Sequence, residues 1–156
     1  MELKKGDKAP SFKLFDTDKN EHSLESNNGK SVVLLFFPLA FTGVCTQELC
    51  GVRDDISSYN DLDANVYGIS VDSIFSLGKF KKEQNINFSL LSDFNKEVSS
   101  LYGALYEEFV LGMRGVSKRS AFVIDSEGTI QYASVSDDAG QLPNFDAIKE
   151  SLSAIK

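Results

Sequence analysis

Hydrophobic residues along this chain form short continuous runs, which alternate with segments where they recur every three or four positions. Residues 32–37 (VVLLFF) predict a strand buried on both faces, because a half-exposed strand would alternate with polar residues. Pro38 lacks a backbone donor and ends this strand. Further apolar positions are Leu49, Val52, Ile56 and Tyr59. Their steps of three and four predict a helix over residues 43–60, directly after Thr42.

The same two patterns continue through the rest of the chain. Further strands are predicted at residues 66–71, 88–91, 121–124 and 129–135, the last two joined by the turn DSEG into a hairpin. Further helices are predicted from the cap candidates Asp72 and Ser73 to about residue 85, over residues 96–102, and after Pro143 and Asn144. This order predicts an α/β fold: a parallel core with an antiparallel edge and helices on both faces. A thioredoxin-like fold with a central mixed sheet fits it.

Length and charge restrict the class of protein. The 156 residues, 42% of them hydrophobic, are enough to close one core, so we expect a single domain over residues 1–156. The formal net charge of -7 repels polyanions, and we expect no nucleic-acid partner and no membrane partner. The start MELKKGDKAP lacks the apolar stretch of a secretory signal, and Pro38 interrupts the longest apolar run. We therefore expect a cytoplasmic protein that acts on small molecules or proteins.

Both cysteines, Cys45 and Cys50, lie in the segment FFPLAFTGVCTQELC directly after the first buried strand. In a reducing compartment, such a pair is more often catalytic or metal-binding than a permanent disulfide. The four residues between them distinguish the pair from a C-x-x-C redox motif. Two cysteines and the single histidine, His22, are too few for a zinc site, which needs about four ligands. We expect no metal, no cofactor and a solvated His22.

The predicted helix places the two thiols differently. With Thr42 as the N-cap, Cys45 takes the third helical position, where N–H groups without helical partners stabilise a thiolate. The alternative is that Cys45 is a small buried apolar residue, as most free cysteines are. In an unbroken helix, Cys50 points about 140° away from Cys45 and their Cα atoms are about 9 Å apart, beyond the roughly 7 Å that a disulfide spans. A disulfide between them would require the helix start to unwind.

A family resemblance follows from these residues. Pro38, Thr42 and Cys45 reproduce the P-x-x-x-T-x-x-C signature of the peroxiredoxins, and Arg119 in KRSAFVID stands where that family carries its active-site arginine. The similarity extends from GDKAPSFKL to the last helix. FFPLAFTGVC resembles the one-cysteine alkyl hydroperoxide reductase E type. CTQELC instead resembles the bacterioferritin comigratory protein type, whose resolving cysteine follows the first by five positions.

The resemblance implies a thiol peroxidase that reduces hydrogen peroxide and organic hydroperoxides. The Cys45 thiolate would attack the peroxide and become a sulfenic acid. Arg119 would favour the thiolate and hold the peroxide oxygens, Thr42 would hydrogen-bond the peroxide, and Pro38 would shield the sulfur from water. Taken singly, these residues have simpler interpretations as an ion-paired arginine, a helix cap and a strand end. Their combination on this spacing favours the peroxidase.

The resemblance leaves recycling open. Cys50 would condense with the sulfenic acid into an intramolecular disulfide that a thioredoxin-like dithiol reduces. The alternatives are a one-cysteine cycle with a low-molecular-weight thiol, in which Cys50 is a bystander, and a noncatalytic thioredoxin-like binding or chaperone module. A homodimer is also compatible with the resemblance. Phe41 and the segment LYGALYEEFVLG would line an apolar rim for organic hydroperoxides, form a dimer contact or pack in the core. Glu48 is expected to be a solvated carboxylate on an exposed helix face.

Overall fold

The computed structural model describes residues 2–27 and 29–155. Within these ranges, the chain forms one seven-stranded sheet and five α-helices. The strands are β1 (Lys13–Asp16), β2 (Glu21–Ser23), β3 (Ser31–Phe36), β4 (Ala64–Ser70), β5 (Ser89–Ser92), β6 (Ser120–Ile124) and β7 (Ile130–Val135). The helices are α1 (Gly43–Asp54), α2 (Ile56–Asp61), α3 (Ile74–Gln84), α4 (Glu97–Leu101) and α5 (Phe145–Ile155).

The sheet is mixed, with the strand order β2-β1-β5-β4-β3-β6-β7. Strands β3, β4 and β5 are parallel, whereas β6 runs antiparallel to β3, and β7 antiparallel to β6. Every residue of β3 after Ser31 is buried, as the continuous apolar run predicts. The predicted α/β class with a parallel core is therefore confirmed. An antiparallel edge lies on both sides of that core, because β1 and β2 add a second one.

The N-terminal hairpin of β1 and β2 was not predicted. Strand β1 has only four residues, and one of its two buried positions is the charged Asp16, so the usual apolar alternation is too short to detect. The Asp16 carboxylate accepts hydrogen bonds from the N–H groups of Asp18 and Asn20. His22 Nε2 lies 2.7 Å from Asp16 Oδ2, and its ring meets Tyr67 edge-on. The expectation that His22 is solvated is therefore wrong, since this pair holds the hairpin together.

Helices cover both faces of the sheet, as predicted. One face packs against α1, α3 and α5, and the other packs against α4 and the N-terminal segment. The alternation within β3 shows this division, because Val33 and Leu35 point to the first core and Val32 and Leu34 to the second. No helix within the described residues is long and apolar enough to cross a bilayer.

The helix predicted over residues 43–60 is interrupted at Asp55. Helix α1 ends at Asp54, and α2 begins at Ile56. The Asp55 carboxylate accepts a hydrogen bond from Ser58 Oγ at 2.6 Å and from Lys149 Nζ of α5 at 2.7 Å. The backbone of Asp55 is not helical, with φ -118° and ψ 16°, and a pattern of apolar positions does not reveal this break. The other predicted helices and strands occur with their bounds shifted by two residues or fewer.

Candidate active site

The site lies where the end of β3 meets the start of β6. The antiparallel register pairs Phe36 with Ser120, so the loop after β3 and the residue before β6 lie at the same edge of the sheet. Pro38 is buried in that loop, and Cys45 is the third residue of α1, as predicted. Cys45 is 1% exposed. The fold therefore brings the motif after β3 and Arg119 together from distant parts of the sequence.

Arg119 contacts the Cys45 sulfur directly. Its Nη2 donates a hydrogen bond to Cys45 Sγ at 3.1 Å, and the arginine is 2% exposed. Nε donates to the carbonyl oxygen of Ala139, in the loop between β7 and α5, at 3.0 Å. The guanidinium thus places a permanent positive charge against the cysteine sulfur. The third guanidinium nitrogen, Nη1, donates a hydrogen bond to Glu48 Oε1.

Glu48 is fully buried, so the expectation of a solvated carboxylate is wrong. Its Oε1 accepts the hydrogen bond from Arg119 Nη1 at 2.5 Å. Among the described residues, its Oε2 has no hydrogen-bond partner. Burial raises the pKa of Glu48 to about 7, although the charge of Arg119 opposes this shift. The i,i+3 spacing puts Glu48 on the same helix face as Cys45, and this spacing was the available sequence signal.

Thr42 occupies the N-cap position of α1, as predicted, but its side chain does not cap the helix. Thr42 is exposed, and its hydroxyl donates to the carbonyl oxygen of Leu39 at 2.8 Å. The carbonyl oxygen of Thr42 accepts from both the N–H and the hydroxyl of Thr46. The Thr42 hydroxyl thus fixes the loop before α1. The first-turn N–H groups beside Cys45 then remain available for an anion.

Asp72, two residues after the end of β4, contacts the same loop. Its Oδ2 accepts hydrogen bonds from the Ala40 N–H at 2.8 Å and from Ser70 Oγ at 2.7 Å. Of the two cap candidates before α3, Ser73 is the one that caps the helix, by accepting from the Ser76 N–H. The sequence indicated a helix cap at Asp72 but not this contact. The contact between Asp72 and Ala40 depends on the pairing of β4 with β3.

Phe41 lies next to Thr42 in the left-handed region of backbone space, with φ 69°. Its ring packs edge-on against Phe80 of α3, and 52% of the residue remains exposed. Phe41 is therefore partly core and partly surface. The segment LYGALYEEFVLG is divided similarly, since Tyr102 is buried and Leu111 is 96% exposed.

Cys50 lies apart from this cluster. It is partly buried, and its Sγ donates to Gln84 Oε1 of α3 at 3.4 Å. Both cysteines are free thiols. The predicted site residues therefore divide into Pro38, Thr42, Cys45 and Arg119 at one end of α1, and Cys50 facing α3. Within residues 2–27 and 29–155, no group of three or more His, Cys, Asp or Glu side chains is placed to hold a metal ion.

Known proteins share this sequence and fold. The AhpC/TSA family matches residues 5–133. A putative peroxiredoxin of Mycobacterium tuberculosis is 41% identical over 133 residues, which cover 84% of each chain. Peroxiredoxin Bcp of Escherichia coli is 36% identical over 132 residues, covering 83% of this chain and 84% of its own. The crystal structure of peroxidoxin BcpB from Mycobacterium tuberculosis has a TM-score of 0.87 at 30% identity and covers 99% of both chains. These matches confirm the predicted thioredoxin-like fold.

Proposed function

The chain belongs to the AhpC/TSA family and is a peroxidase of the peroxiredoxin class, and on that premise we propose that Cys45 is the residue that reduces the peroxide. The observation that carries this proposal is the hydrogen bond from Arg119 Nη2 to Cys45 Sγ at 3.1 Å. A thiolate is the nucleophilic form of cysteine, and a buried guanidinium together with a helix N-terminus is a standard environment for one.

In the proposed reaction, the Cys45 thiolate attacks the terminal oxygen of a hydroperoxide. The O–O bond breaks, the sulfur keeps the hydroxyl group as a sulfenic acid, and the leaving oxygen takes a proton and departs as water or an alcohol. Arg119 and the first-turn N–H groups of α1 stabilise the negative charge that develops on the leaving oxygen. Thr42, whose hydroxyl oxygen keeps free lone pairs, accepts a hydrogen bond from the peroxide, and the buried Pro38 excludes water from one side.

Glu48 orients the arginine in this scheme. Its carboxylate binds Nη1 while Nη2 contacts the sulfur, so the guanidinium is held from two sides at a fixed angle. The Ala139 carbonyl oxygen accepts a hydrogen bond from Nε, so all three nitrogens of the guanidinium are bound. Such fixed donors contribute to catalysis because they need no reorganisation when charge develops.

For recycling, we propose that Cys50 attacks the sulfenic acid and that a thioredoxin-like dithiol reduces the resulting disulfide. Helix α1 begins without a side-chain cap and without an acidic residue in its first turn, which favours local unwinding. A cytoplasmic location would supply such a reductant. We also propose that two copies associate into a homodimer, and this proposal rests on the family resemblance alone.

A one-cysteine cycle is the second candidate, and one observation favours it. In the reduced protein, Cys50 Sγ faces Gln84 of α3 and not Cys45. A low-molecular-weight thiol would then attack the oxidised Cys45 directly. Mass spectrometry of the peroxide-treated protein under non-reducing conditions separates the two cycles. A loss of two hydrogens indicates the disulfide, whereas a gained oxygen or a thiol adduct indicates the one-cysteine cycle.

The peroxidase assignment to Cys45 is tested by substitution. We expect Cys45→Ser to abolish peroxide consumption, because a serine hydroxyl is not ionised at neutral pH. Cys50→Ser, the matched change on the same helix, should retain the first oxidation of Cys45. Peroxide consumption by the reduced proteins in a single turnover measures both. A Cys45→Ser protein that consumes peroxide at the unsubstituted rate would refute the assignment.

A further inference from the structure

We propose that Gln84, at the C-terminal end of α3, is a positioning residue that holds the Cys50 thiol away from Cys45 and thereby sets the rate of disulfide formation. The inference rests on the proposed function, since it assumes that Cys50 is the resolving cysteine. It concerns a contact outside the Arg119 cluster. Among the described residues, the hydrogen bonds of Gln84 outside α3 go to Cys50 and Arg53, whereas Cys45 is bound by Arg119, so we expect Gln84 to affect the second chemical step.

The contact has a defined geometry. Cys50 Sγ donates a hydrogen bond to Gln84 Oε1 at 3.4 Å, which fixes the thiol on the side of α1 that faces α3. Both side chains are only partly buried. In a regular helix, Cys50 points about 140° away from the direction of Cys45. The thiol must therefore leave Gln84 before it can reach the oxidised sulfur.

Two further hydrogen bonds join the same ends of the two helices. Arg53 Nη1 donates to the carbonyl oxygen of Gln84 at 2.5 Å, and Asn87 Nδ2 donates to the carbonyl oxygen of Arg53 at 3.1 Å. Helix α3 ends at this point because Asn85 adopts the left-handed conformation, with φ 53°. The backbone of Gln84 thus docks the second half of α1, while its side-chain oxygen accepts from the Cys50 thiol. This division allows the side chain to be changed without removing the docking contact.

The two parts of α1 also differ in how firmly they are held. Leu49 and Val52 are anchored in the core, with 0% and 1% of their surface exposed. Thr42 and Gly43, at the helix start, are exposed. A hydrogen bond between two neutral, partly exposed groups is weak enough to open repeatedly. The hydrogen bond between Cys50 and Gln84 therefore restrains the thiol for only part of the time.

The chemical step that it controls is balanced by the two sulfurs alone. The Cys50 sulfur attacks the sulfenic sulfur of Cys45, the S–S bond forms and the S–O bond breaks. The hydroxyl group leaves with the thiol proton as water. The Cys50 sulfur is oxidised and the Cys45 sulfur is reduced to the disulfide level.

The experiment follows both oxidation steps in one time course. Reduced protein is mixed with hydrogen peroxide, quenched with an alkylating reagent and analysed by mass spectrometry for sulfenic acid and disulfide. Gln84→Leu keeps the size of the side chain but removes the acceptor, and we expect disulfide formation about two- to tenfold faster than in the unsubstituted protein. Oxidation of Cys45 should keep its rate. Gln84→Glu retains an oxygen acceptor and should be no faster, and Lys82→Leu, an exposed change on α3, is the control for the substitution itself.

A second readout does not depend on peroxide. In a Cys45→Ser background, Cys50 should be alkylated by a maleimide faster after Gln84→Leu, because the thiol spends more time free. An unchanged alkylation rate, or disulfide formation at an unchanged or lower rate in Gln84→Leu, overturns the inference. A parallel change in the rate of Cys45 oxidation also overturns it, because it would indicate a general structural role. If the unsubstituted protein forms no disulfide, both the resolving role of Cys50 and this inference fail, whereas equal disulfide rates refute the inference alone.

Discussion

Cys45 and Cys50 lie on one helix five residues apart, yet they differ in burial and in the group that contacts each sulfur. Cys45 Sγ accepts a hydrogen bond from a buried guanidinium that Glu48 also holds. Cys50 Sγ meets a neutral amide on a partly exposed surface. The first contact holds the sulfur beside a buried positive charge, and the second is weak enough to release a thiol. The two sulfurs of one helix thus have a buried ionic contact and a partly exposed neutral contact.

Removing the positive charge beside Cys45 should cause a large loss in the rate of Cys45 oxidation. Arg119→Met should lower the second-order rate of Cys45 oxidation by about a hundredfold or more, as for the loss of one buried transition-state donor. Arg119→Lys should also be slow, because an ammonium group cannot contact Cys45, Glu48 and Ala139 together. Single-turnover mixing of the reduced protein with hydrogen peroxide measures the rate.

The control for that experiment is the neighbouring cation. Lys118 pairs with the exposed Asp137 at 2.7 Å and does not belong to the cluster around Cys45. Lys118→Met should change the rate by less than about threefold, since the charge of Lys118 is already paired with Asp137 and is screened by solvent at a distance. Equal losses in the Arg119 and Lys118 variants would show that net charge matters and not the contact with the sulfur.

The second prediction concerns the cost of keeping Glu48 buried beside Cys45. Burial raises its pKa from 4.5 to about 7. Since the folded pKa lies above the unfolded one, the folded state binds the proton more tightly, and stability is lost as the pH rises through this window. Between pH 5 and pH 8, the free energy of unfolding should therefore fall by up to about 3 kcal/mol relative to Glu48→Gln, which does not ionise.

Urea unfolding at several pH values tests this difference. Glu83→Gln is the matched change on α3, because it removes an exposed carboxylate that pairs with Lys79 on the surface. The free energy of unfolding of Glu83→Gln should therefore depend on pH almost as that of the unsubstituted protein does. Parallel curves for the unsubstituted protein and Glu48→Gln would show that the buried carboxyl does not bind its proton more tightly in the folded state.

The contrast between the two sulfurs also shows which parts of the site could be predicted from sequence. The motif around Pro38, Thr42 and Cys45 is local, so spacing alone placed Cys45 at the helix start and Cys50 on another face. The apolar run of β3 was equally visible, because burial on both faces leaves a continuous pattern. Arg119 was found only by family resemblance, since its position depends on the pairing of β3 with β6.

Contacts between distant segments were missed for the same reason. The sequence predicts a solvated Glu48 because a glutamate is rarely buried without a partner, and its partner, Arg119, lies 71 positions away. Gln84 contacts Cys50 and Asp72 contacts Ala40, each in a distant part of the sequence. Local patterns do not report such contacts. The break at Asp55 depends partly on Lys149 of α5. Local patterns therefore predicted the layers of the fold and the position of Cys45 at the start of α1, but not the polar network around it.

A substitution of Gly51 tests whether α1 must unwind before Cys50 can reach Cys45. Gly51 lies inside α1 directly after Cys50, and an added Cβ would have no atom within 4 Å. Gly51→Ala should stabilise the helix by about 0.5–1 kcal/mol, since alanine loses less backbone entropy there. If disulfide formation requires unwinding as far as Cys50, it should slow by about two- to fivefold while Cys45 oxidation is unchanged. Urea unfolding and the quenched time course measure the two effects together. A variant that is more stable but forms the disulfide at the unsubstituted rate would show that Cys50 reaches Cys45 without opening the helix there.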